Sequence, residues 1–330
     1  MYGFSVFHKD LLNTLINNVR SGRNANTYIF EGQPGLCKHE AAMLFAKALV
    51  CDDRKNAPCC ECLSCLETDE GHHPEIIHIS KEKDRATLGI NPIRNMITEC
   101  LVTPFYNASK VFIIDDGDLL TPEAQNAFLK VIEEPPEYAV FIIVCTDAQI
   151  LLQTVRSRAV TVTFVPVDNE IVREYIKTNY PEETRLDFLV RYCAGIPKTA
   201  DKVIASEDFE KMREEVLSLV PKLLSANKVY AYDVSAYLDD NKEKASEIFD
   251  LMLMFLRDSL VTAMGGYEKT VNNDKSEKIN LIASKYPVEL ITKGIDELIE
   301  AKKMISRYIK PSAAALHAAL KTVVQNVNFE

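Results

Sequence analysis

The strongest candidate for chemistry is the loop Gly32 to Glu40, which reads G-Q-P-G-L-C-K-H-E. It lies between an apolar run, Thr27 to Phe30, and a second one, Ala41 to Val50. This order of strand, loop and helix is typical of the G-x-x-x-x-G-K-[ST] pattern. In that pattern backbone N–H groups surround a phosphate, a Lys contacts its outer oxygens and a hydroxyl binds Mg²⁺. An ordinary turn between a strand and a helix is the alternative explanation.

The loop matches that pattern only in part. Gly32, Gly35 and Lys38 stand where a phosphate-binding loop needs them. Cys37 replaces the second required glycine, and its Cβ fills space that a closely approaching phosphate would use. His39 replaces the magnesium hydroxyl, and imidazole is a poor ligand for a cation that prefers oxygen. We therefore expect a degenerate nucleotide-binding loop.

A second candidate is a group of cysteines at metal-ligand spacing: Cys51, Cys59, Cys62 and Cys65. Four thiolates at such spacing can close a tetrahedral Zn²⁺ site with no open position, which predicts a structural and not a catalytic metal. Cys60 competes with Cys59, although only Cys59 keeps the regular step to Cys62. His72 and His73 are weaker ligand candidates, and reduced thiols without any metal are the alternative.

Two acidic residues, Asp115 and Asp116, follow the apolar run Val111 to Ile114. In a P-loop nucleotidase the first such acid holds Mg²⁺ and the next carboxylate positions the attacking water. Asp115 fits the first role, whereas the Asp116 side chain is one methylene shorter than the usual Glu. Thr146, after the apolar run Ala139 to Cys145, is a candidate sensor of a γ-phosphate. Solvation of a strand terminus is the alternative for the two acids, and a strand-end cap is the alternative for Thr146.

Arg158, in the sequence Ser157-Arg158-Ala159, lies between a short helix and a strand of the predicted sheet. An Arg on such a turn can reach across an interface and place its guanidinium on a neighbour's γ-phosphate. Such a residue accelerates hydrolysis by roughly 10³ to 10⁵. A surface Arg stabilised by a helix C-terminus is the alternative, and Arg156 is close enough in sequence to be confused with it.

Strands and helices alternate through the first half of the chain and would position these residues. Besides the segments above, strands are predicted at Glu75–Ile79 and Val160–Phe164. Helices are predicted at Phe7–Val19, from Asn91-Pro92 with Asn as N-cap, from Thr121-Pro122 up to Pro135, and near Ala148–Thr154. Such alternation predicts an α/β fold in which a parallel sheet carries helices on both faces.

Beyond about residue 167 the sequence predicts helices only. Their breaks are expected near Asn227, Asn241, Gly265-Gly266, Pro287 and Pro311. We expect three domains: an α/β domain over 1–166 with the cysteine module at 51–65, an all-α lid over 167–206 and an all-α domain over 207–330.

Composition limits the classes of function. The 330 residues carry a net charge of −10, with 47% hydrophobic and 26% charged residues, as expected of a soluble multidomain protein. An acidic chain without long basic runs grips nucleic acid poorly by itself, so any role on DNA needs more basic partners. Neither a secretory signal nor a membrane span is recognisable, and nine cysteines fit metal or free thiols in a reducing compartment. We expect a cytoplasmic protein.

The motifs occur in a fixed order: G-Q-P-G-L-C-K, C-x₇-C-x₂-C-x₂-C, V-F-I-I-D-D-G-D, T-P-E-A-Q-N-A-F-L-K-V-I-E-E-P-P and S-R-A. In this order they resemble the bacterial clamp-loader proteins of DNA polymerase III, a branch of the AAA+ class. The resemblance is specific over about Tyr28 to Phe164 and weaker around Gly195. Over the last third of the chain it rests on the helical pattern alone.

The resemblance implies a nucleotide-binding AAA+ domain with a zinc module, a helical lid and a helical collar. The collar would join this chain with tau/gamma and delta subunits in an open ring of five, which loads the sliding clamp onto primed DNA without involving a membrane. It also implies that Arg158 is an arginine finger acting in trans, with Ala159 in place of the family's Cys. Lys198 stands where motor subunits carry a lid Arg.

Departures from the ATPase pattern at Cys37, His39 and Asp116 imply that ATP and Mg²⁺ binding is weak or absent, while Zn²⁺ would be structural. Losing one positioned donor costs about 10² to 10³ in rate, so we expect negligible independent turnover. The favoured function is therefore a non-hydrolysing subunit of a DNA-directed DNA polymerase holoenzyme. An active tau/gamma-like motor is the first alternative. A small-molecule P-loop kinase is the second, and the long helical region without a substrate-pocket signature disfavours it.

Overall fold

The computed structural model describes residues 7–81, 85–105, 109–225, 227–307 and 309–324. The chain forms two compact units. The first consists of Met1–Glu183 with Cys193–Thr199, and the second of Thr184–Tyr192 with Ala200–Glu330. The sequence-based division into three domains stays a prediction. None of the helices in the described ranges combines the length and apolar character that crossing a bilayer requires.

The first unit is built on a five-stranded parallel sheet, which confirms the predicted fold class. Its strands are β1 (Thr27–Glu31), β2 (Ile76–Ile79), β3 (Lys110–Ile114), β4 (Ala139–Cys145) and β5 (Val160–Thr163), in the order β2-β3-β4-β1-β5. Every residue of β3 and β4 is buried. Continuous apolar runs suit such strands because helices cover both faces of a parallel sheet.

Helices pack on both faces of this sheet. The helices of the first unit are α1 (Lys9–Arg20), α2 (Lys38–Val50), α3 (Leu63–Asp69), α4 (Ile90–Cys100), α5 (Pro122–Glu133), α6 (Gln153–Arg156) and α7 (Asn169–Asn179). One apolar core joins α1 and α2 to the face that carries Phe30, Ile113 and Ile142. A second core joins α4, α5 and α6 to the face that carries Phe112 and Phe141.

Two of the helix predictions were wrong in position. α4 begins at Ile90 after Gly89, not after an Asn91 cap. The cause is tertiary: Leu88 is held in an extended bridge with Leu120, so the chain turns helical directly after it. The stretch Ala148–Thr154 divides into a 3₁₀ turn over Ala148–Ile150 and the later helix α6.

The N-cap predicted for α5 is confirmed. The Thr121 hydroxyl accepts a hydrogen bond from the Ala124 N–H at 3.3 Å, and Pro122 occupies the first helical position. The cap satisfies one of the N–H groups that a helix start leaves without a partner in the helix. α5 ends at Glu133, before Pro135, as the sequence predicted.

The described part of the second unit contains α-helices and short 3₁₀ turns but no strand, as predicted. They are α8 (Leu186–Cys193) and α9 (Pro197–Ala205), each of which extends partly into the first unit, followed by α10 (Phe209–Leu223), α11 (Lys228–Asp240), α12 (Ala245–Ala263), α13 (Ser276–Lys285), α14 (Val288–Ser306) and α15 (Pro311–Val324). Asn227 caps α11 through its side chain, and Asn241 follows the end of that helix. The helix breaks predicted around residues 227, 241, 265, 287 and 311 are confirmed.

A buried arginine organises one end of the second unit. Arg213 has no exposed side-chain surface. Its guanidinium donates to Asn272 Oδ1 at 2.8 and 3.0 Å, to Asp274 Oδ1 at 2.6 Å and to Glu210 Oε2 at 3.3 Å. It also lies 3.6 Å from the centroid of the Phe188 ring. A charge removed from water in this way requires all of its partners.

We expect Arg213→Met to lower the free energy of unfolding by about 3 kcal/mol, because the substitution strands the buried Asn272 amide and leaves acidic partners uncompensated. Urea denaturation followed by circular dichroism measures the change. Lys302→Met is the matched control. It removes a half-exposed pair with Asp250 and should cost no more than about 0.5 kcal/mol. Equal effects of the two substitutions would contradict the role of Arg213.

Candidate functional site

In the loop between β1 and α2, a cysteine adopts a backbone conformation that glycine adopts more easily. Cys37, the residue before α2, has φ 58° and ψ 33°. This left-handed conformation costs a residue with a Cβ about 1 kcal/mol or more, whereas glycine adopts it freely. The position therefore keeps the conformation of the missing glycine while the Cys37 side chain is buried beside it.

The ammonium group of Lys38 points into its own loop. Nζ donates to the carbonyl oxygen of Gly32 and, at 2.9 Å, to that of Gln33. The residue is only 8% exposed, and burial lowers the pKa of its side chain. The cation that would contact phosphate oxygens in a working loop is therefore bound to carbonyl groups of the loop.

His39, the residue that replaces the magnesium hydroxyl, bonds the acid that would hold magnesium. Its Nδ1 lies 2.8 Å from Asp115 Oδ1, and Nδ1 of His78 lies 3.5 Å from the other oxygen, Oδ2. Burial acts to raise the pKa of Asp115, but the hydrogen bonds from the two imidazoles outweigh it and lower that pKa to about 2. The same bond raises the pKa of His39. Asp115 is therefore ionised and engaged with two imidazoles.

Asp116 follows the carboxyl end of β3, and Thr146 follows the carboxyl end of the neighbouring strand β4. Asp118 accepts hydrogen bonds from both the backbone N–H and the hydroxyl of Thr146 at 2.9 Å, so the candidate phosphate sensor is bound to a carboxylate. Asp116 is exposed in a left-handed conformation with φ 52° and starts a short 3₁₀ turn. Neither residue has the arrangement of an ATPase site.

These side chains line a cavity of about 380 Å³ at the carboxyl edge of the sheet. Its charged lining consists of Lys38 and His39 facing three carboxylates, those of Asp115, Asp116 and Asp118. Because Lys38 is already bound to carbonyl groups, the cavity favours a cation and opposes a polyphosphate. The lining therefore disfavours nucleotide.

Lys198, which the sequence predicted to belong to a lid, forms its contact within the first unit. Its ammonium forms an ion pair with Glu40 in the first turn of α2. The loop also packs closely against Ile196, two residues before Lys198. A Cβ on Gly35, whose φ is +90°, would lie only 2.6 Å from Ile196 Cγ2. The absence of a side chain at Gly35 therefore allows the loop to pack closely against Ile196.

Arg158 lies away from this cavity on an exposed turn. One guanidinium nitrogen donates to the carbonyl oxygen of Thr154 at 3.0 Å, and the other pairs with Glu133 Oε1 at 3.0 Å. The side chains of Arg158 and Glu133 are 38% and 51% exposed. An ion pair this exposed contributes at most about 1 kcal/mol. Arg156 is bound separately, to Gln149 Oε1 at 2.8 Å.

The four predicted cysteines come together between α2 and α3. Their sulfur atoms, those of Cys51, Cys59, Cys62 and Cys65, all lie within 4.8 Å of one another. The separation of 3.9 Å between the Cys51 and Cys62 sulfurs is close to the ~3.8 Å edge of a tetrahedron with 2.3 Å metal–sulfur bonds. The donor set therefore fits a four-coordinate metal.

Backbone groups support this arrangement of sulfurs. The N–H groups of Cys59, Cys62 and Cys65 each donate to a cluster sulfur at 3.4 Å. Hydrogen bonds from backbone N–H groups lower the pKa of Cys59 to about 7, whereas burial raises the pKa of Cys51 to about 11 and raises that of Cys65 as well. Cys60 instead is exposed, with its sulfur 3.7 Å from the Pro58 carbonyl oxygen. His73 accepts a bond from the Glu75 N–H and, like His72, lies outside the sulfur cluster.

A buried ion pair fixes the cysteine module to the rest of the first unit. Lys47 of α2 has no exposed side-chain surface, and its ammonium bonds both carboxylate oxygens of Asp69 in α3 at 2.7 and 2.8 Å. This contact joins α2 to the helix that carries Cys65, so the cluster and the loop before α2 share one rigid helix.

Sequence reasoning missed four residues of this unit: Glu40, His78, Asp118 and Glu133. Asp118 was within reach, because it belongs to the D-D-G-D run after β3. His78 carries no motif, and only the pairing of β2 with β3 brings it beside Asp115. Glu40 and Glu133 become relevant through partners 158 and 25 residues away along the chain.

The parallel sheet, the loop before α2 and the acids after β3 define a P-loop domain of the AAA+ class whose nucleotide site is altered. Comparison with protein families agrees. Residues 7–168 match the family described as DNA polymerase III, delta subunit, and residues 207–311 match its C-terminal domain. The chain belongs to the family that these two models describe, DNA polymerase III, delta subunit.

Curated relatives extend over most of the chain. It is 25% identical over 320 residues to the DNA polymerase III subunit delta' of Bacillus subtilis, covering 94% of both chains. It is 26% identical to that of Yersinia pestis, covering 82% of this chain and 80% of the relative. The tau/gamma subunit of Haemophilus influenzae is 26% identical over 93% of this chain, which spans only 44% of that longer protein.

A solved structure from Thermotoga maritima, a DNA polymerase III gamma subunit-related protein, covers 89% of this chain and 99% of its own, with 19% identity and a TM-score of 0.44. That score reflects a loose superposition, so no residue role is transferred from it.

The cysteine cluster predicts the result of single substitutions. Cys62→Ser should release one metal equivalent per chain, because a tetrahedral site loses one of its four ligands. Cys60→Ser is the matched control and should keep that equivalent, since Cys60 lies outside the cluster. Metal analysis of the two purified variants measures the difference. Equal metal content in both would contradict the assignment.

Proposed function

We propose that this chain is a non-hydrolysing, delta-prime-type subunit of a bacterial DNA polymerase III clamp loader. It takes part in loading the sliding clamp onto primed DNA in the cytoplasm. The observation that carries the proposal is the position of Lys38, whose ammonium is bound to carbonyls of its own loop. A nucleotide would have to displace these bonds without gaining a magnesium hydroxyl, because His39 stands in its place.

The remaining parts of the site support the same conclusion. Asp115 is engaged by two imidazoles, Thr146 by Asp118, and Lys198 by Glu40. Each group that would contact Mg²⁺ or a phosphate in an ATPase has a partner within the protein. A nucleotide with Mg²⁺ would have to displace these partners, so we expect ATP and Mg²⁺ to bind weakly or not at all.

Arg158 can act only on another subunit. Val160, two residues after it, pairs with Tyr28 at the amino end of β1, whereas the loop with Lys38 follows the carboxyl end of β1. Strands rise about 3.3 Å per residue, so these two edges of the sheet lie more than about 10 Å apart. The guanidinium therefore faces away from its own cavity, and its weak pair with Glu133 is easily exchanged for a neighbour's γ-phosphate.

The partners follow from the family and the charge. Tau/gamma and delta subunits complete a pentameric ring, in which residues 207–330 serve as the collar and residues 167–206 as the lid. With a net charge of −10 the chain meets DNA through its more basic partners. The metal at the cysteine cluster is structural Zn²⁺, since four thiolates leave no open position and suit zinc.

The isolated chain should hydrolyse ATP no faster than its Lys38→Met variant, because the wild-type Lys38 does not contact a phosphate. A steady-state phosphate-release assay at millimolar ATP compares the two proteins. Turnover in the wild type that the substitution abolishes would instead support the alternative, an active tau/gamma-like motor. The similarity to tau/gamma subunits over most of this chain makes that alternative worth the direct test.

Arg158→Ala in a reconstituted clamp loader should slow hydrolysis at the adjacent ATP site by about 10³ or more, because the transition-state charge loses its guanidinium. The total ATPase rate of the complex should fall by the fraction that this one site contributes, and the rate of clamp loading should fall as well. Arg156→Ala is the matched control, since Arg156 bonds Gln149 on the same turn. Full activity of the Arg158→Ala complex would refute the finger.

A further inference from the structure

A second cluster of metal-ligand side chains lies in the first unit, apart from the cysteines. His39 in the first turn of α2, His78 in β2 and Asp115 after β3 each direct a donor atom to a common point. The three donor atoms lie within 4.8 Å of one another. Neither the family assignment nor the proposed function gives these three side chains a role in binding metal.

The spacing of the donors suits a metal ion. Bonds of about 2.0 to 2.2 Å to imidazole nitrogen and carboxylate oxygen put two donors about 3 to 3.5 Å apart. The observed distances to the Asp115 carboxylate are 2.8 Å from His39 Nδ1 and 3.5 Å from His78 Nδ1. The two imidazoles contact different oxygens of Asp115, so an ion would have to draw the donor atoms, which lie within 4.8 Å of one another, around one common point.

The backbone holds the three ligands in this arrangement. His78 pairs in register with Ile113 of β3, and the Asp115 N–H donates to the Ile79 carbonyl oxygen at 3.1 Å. Two ligands are thus fixed by one ladder of the sheet, and the third by the start of a helix. Preorganisation of this kind lowers the entropy cost of binding an ion.

The surroundings favour a cation and leave a path for it. Asp116 and Asp118 line the adjoining cavity, where Lys38 is already bound to carbonyl groups. The side chains of His39, His78 and Asp115 are 47%, 41% and 26% exposed, so an ion can enter and keep water on its open positions. Two imidazoles and one carboxylate suit borderline transition ions and not Mg²⁺.

We propose that His39, His78 and Asp115 bind one divalent transition-metal ion of the Zn²⁺, Co²⁺ or Ni²⁺ type, separate from the cysteine cluster. The ion would cross-link α2, β2 and β3 at the place where an ATPase of this fold would hold Mg²⁺. The imidazole that is unsuited to magnesium is therefore a suitable ligand for a different metal. The inference does not depend on the clamp-loader role, because it rests on these three side chains alone.

Cobalt titration of the full-length protein, with zinc already filling the cysteine cluster, tests the proposal. We expect one further equivalent of Co²⁺ to bind, with a ligand-field spectrum that lacks thiolate-to-cobalt charge transfer. His78→Gln and Asp115→Asn should each weaken this binding by about 100-fold or more, since even outer-shell partners of a metal contribute 10- to 100-fold. His72→Gln, which changes an exposed histidine outside the cluster, should leave it unchanged.

Three outcomes would overturn the proposal: no further equivalent at millimolar Co²⁺, a thiolate signature on that equivalent, or equal affinity in all three variants. Zinc retained at the cysteine cluster shows that a variant has folded. A measurement on the wild type needs no substitution: bound Co²⁺ should contact-shift the imidazole NMR signals of His39 and His78 but not of His72. Unshifted signals of His39 and His78 at saturation would also refute the site.

Discussion

The binding of the Lys38 ammonium to carbonyl groups of its own loop is the interaction on which the arrangement of the first unit depends. In a loop that holds phosphate, backbone N–H groups point toward the anion and the Lys is drawn out to it. Here the charge of Lys38 is compensated by the carbonyl oxygens of Gly32 and Gln33. A buried cation without such partners would be costly.

Once Lys38 is withdrawn, the acids of the cavity need other partners, and the sequence supplies them. His39 is well placed because it replaces a small hydroxyl with a ring that reaches Asp115 directly. Asp118 is satisfied by Thr146, and Glu40 by Lys198. These contacts extend over α2, two strand ends and the segment before α9. Restoring a single residue of the ATPase pattern would leave the other contacts in place, so the proposed loss of nucleotide binding would be distributed over the whole site.

Much of this could be predicted from the sequence, because the governing signals are local. Continuous apolar runs identify buried parallel strands, and the cysteine spacing fixes which sulfurs can meet. The sequence did not predict the direction of the Lys38 side chain, since a rotamer depends on which oxygens lie nearby in three dimensions. Nor did it predict His78, whose role depends on β2 lying next to β3. Gly89 in place of Asn91 at the start of α4 has the same origin, because the Leu88 bridge to Leu120 decides where the helix begins.

The action proposed for Arg158 requires a side chain that is stable in the isolated chain and still available to a neighbour. Its pair with Glu133 is exposed on both sides, so solvent screening keeps the attraction small. A phosphate in a closed interface offers two parallel hydrogen bonds and more charge in a medium of lower dielectric constant, where the same geometry is worth more. Under the proposed role, the exchange would be favourable only when a neighbour presents nucleotide. In the isolated chain Glu133, the last residue of α5, pairs with this guanidinium. Pro135 and Pro136 follow the helix and prevent it from continuing, so the Glu133 carboxylate lies at an exposed helix end.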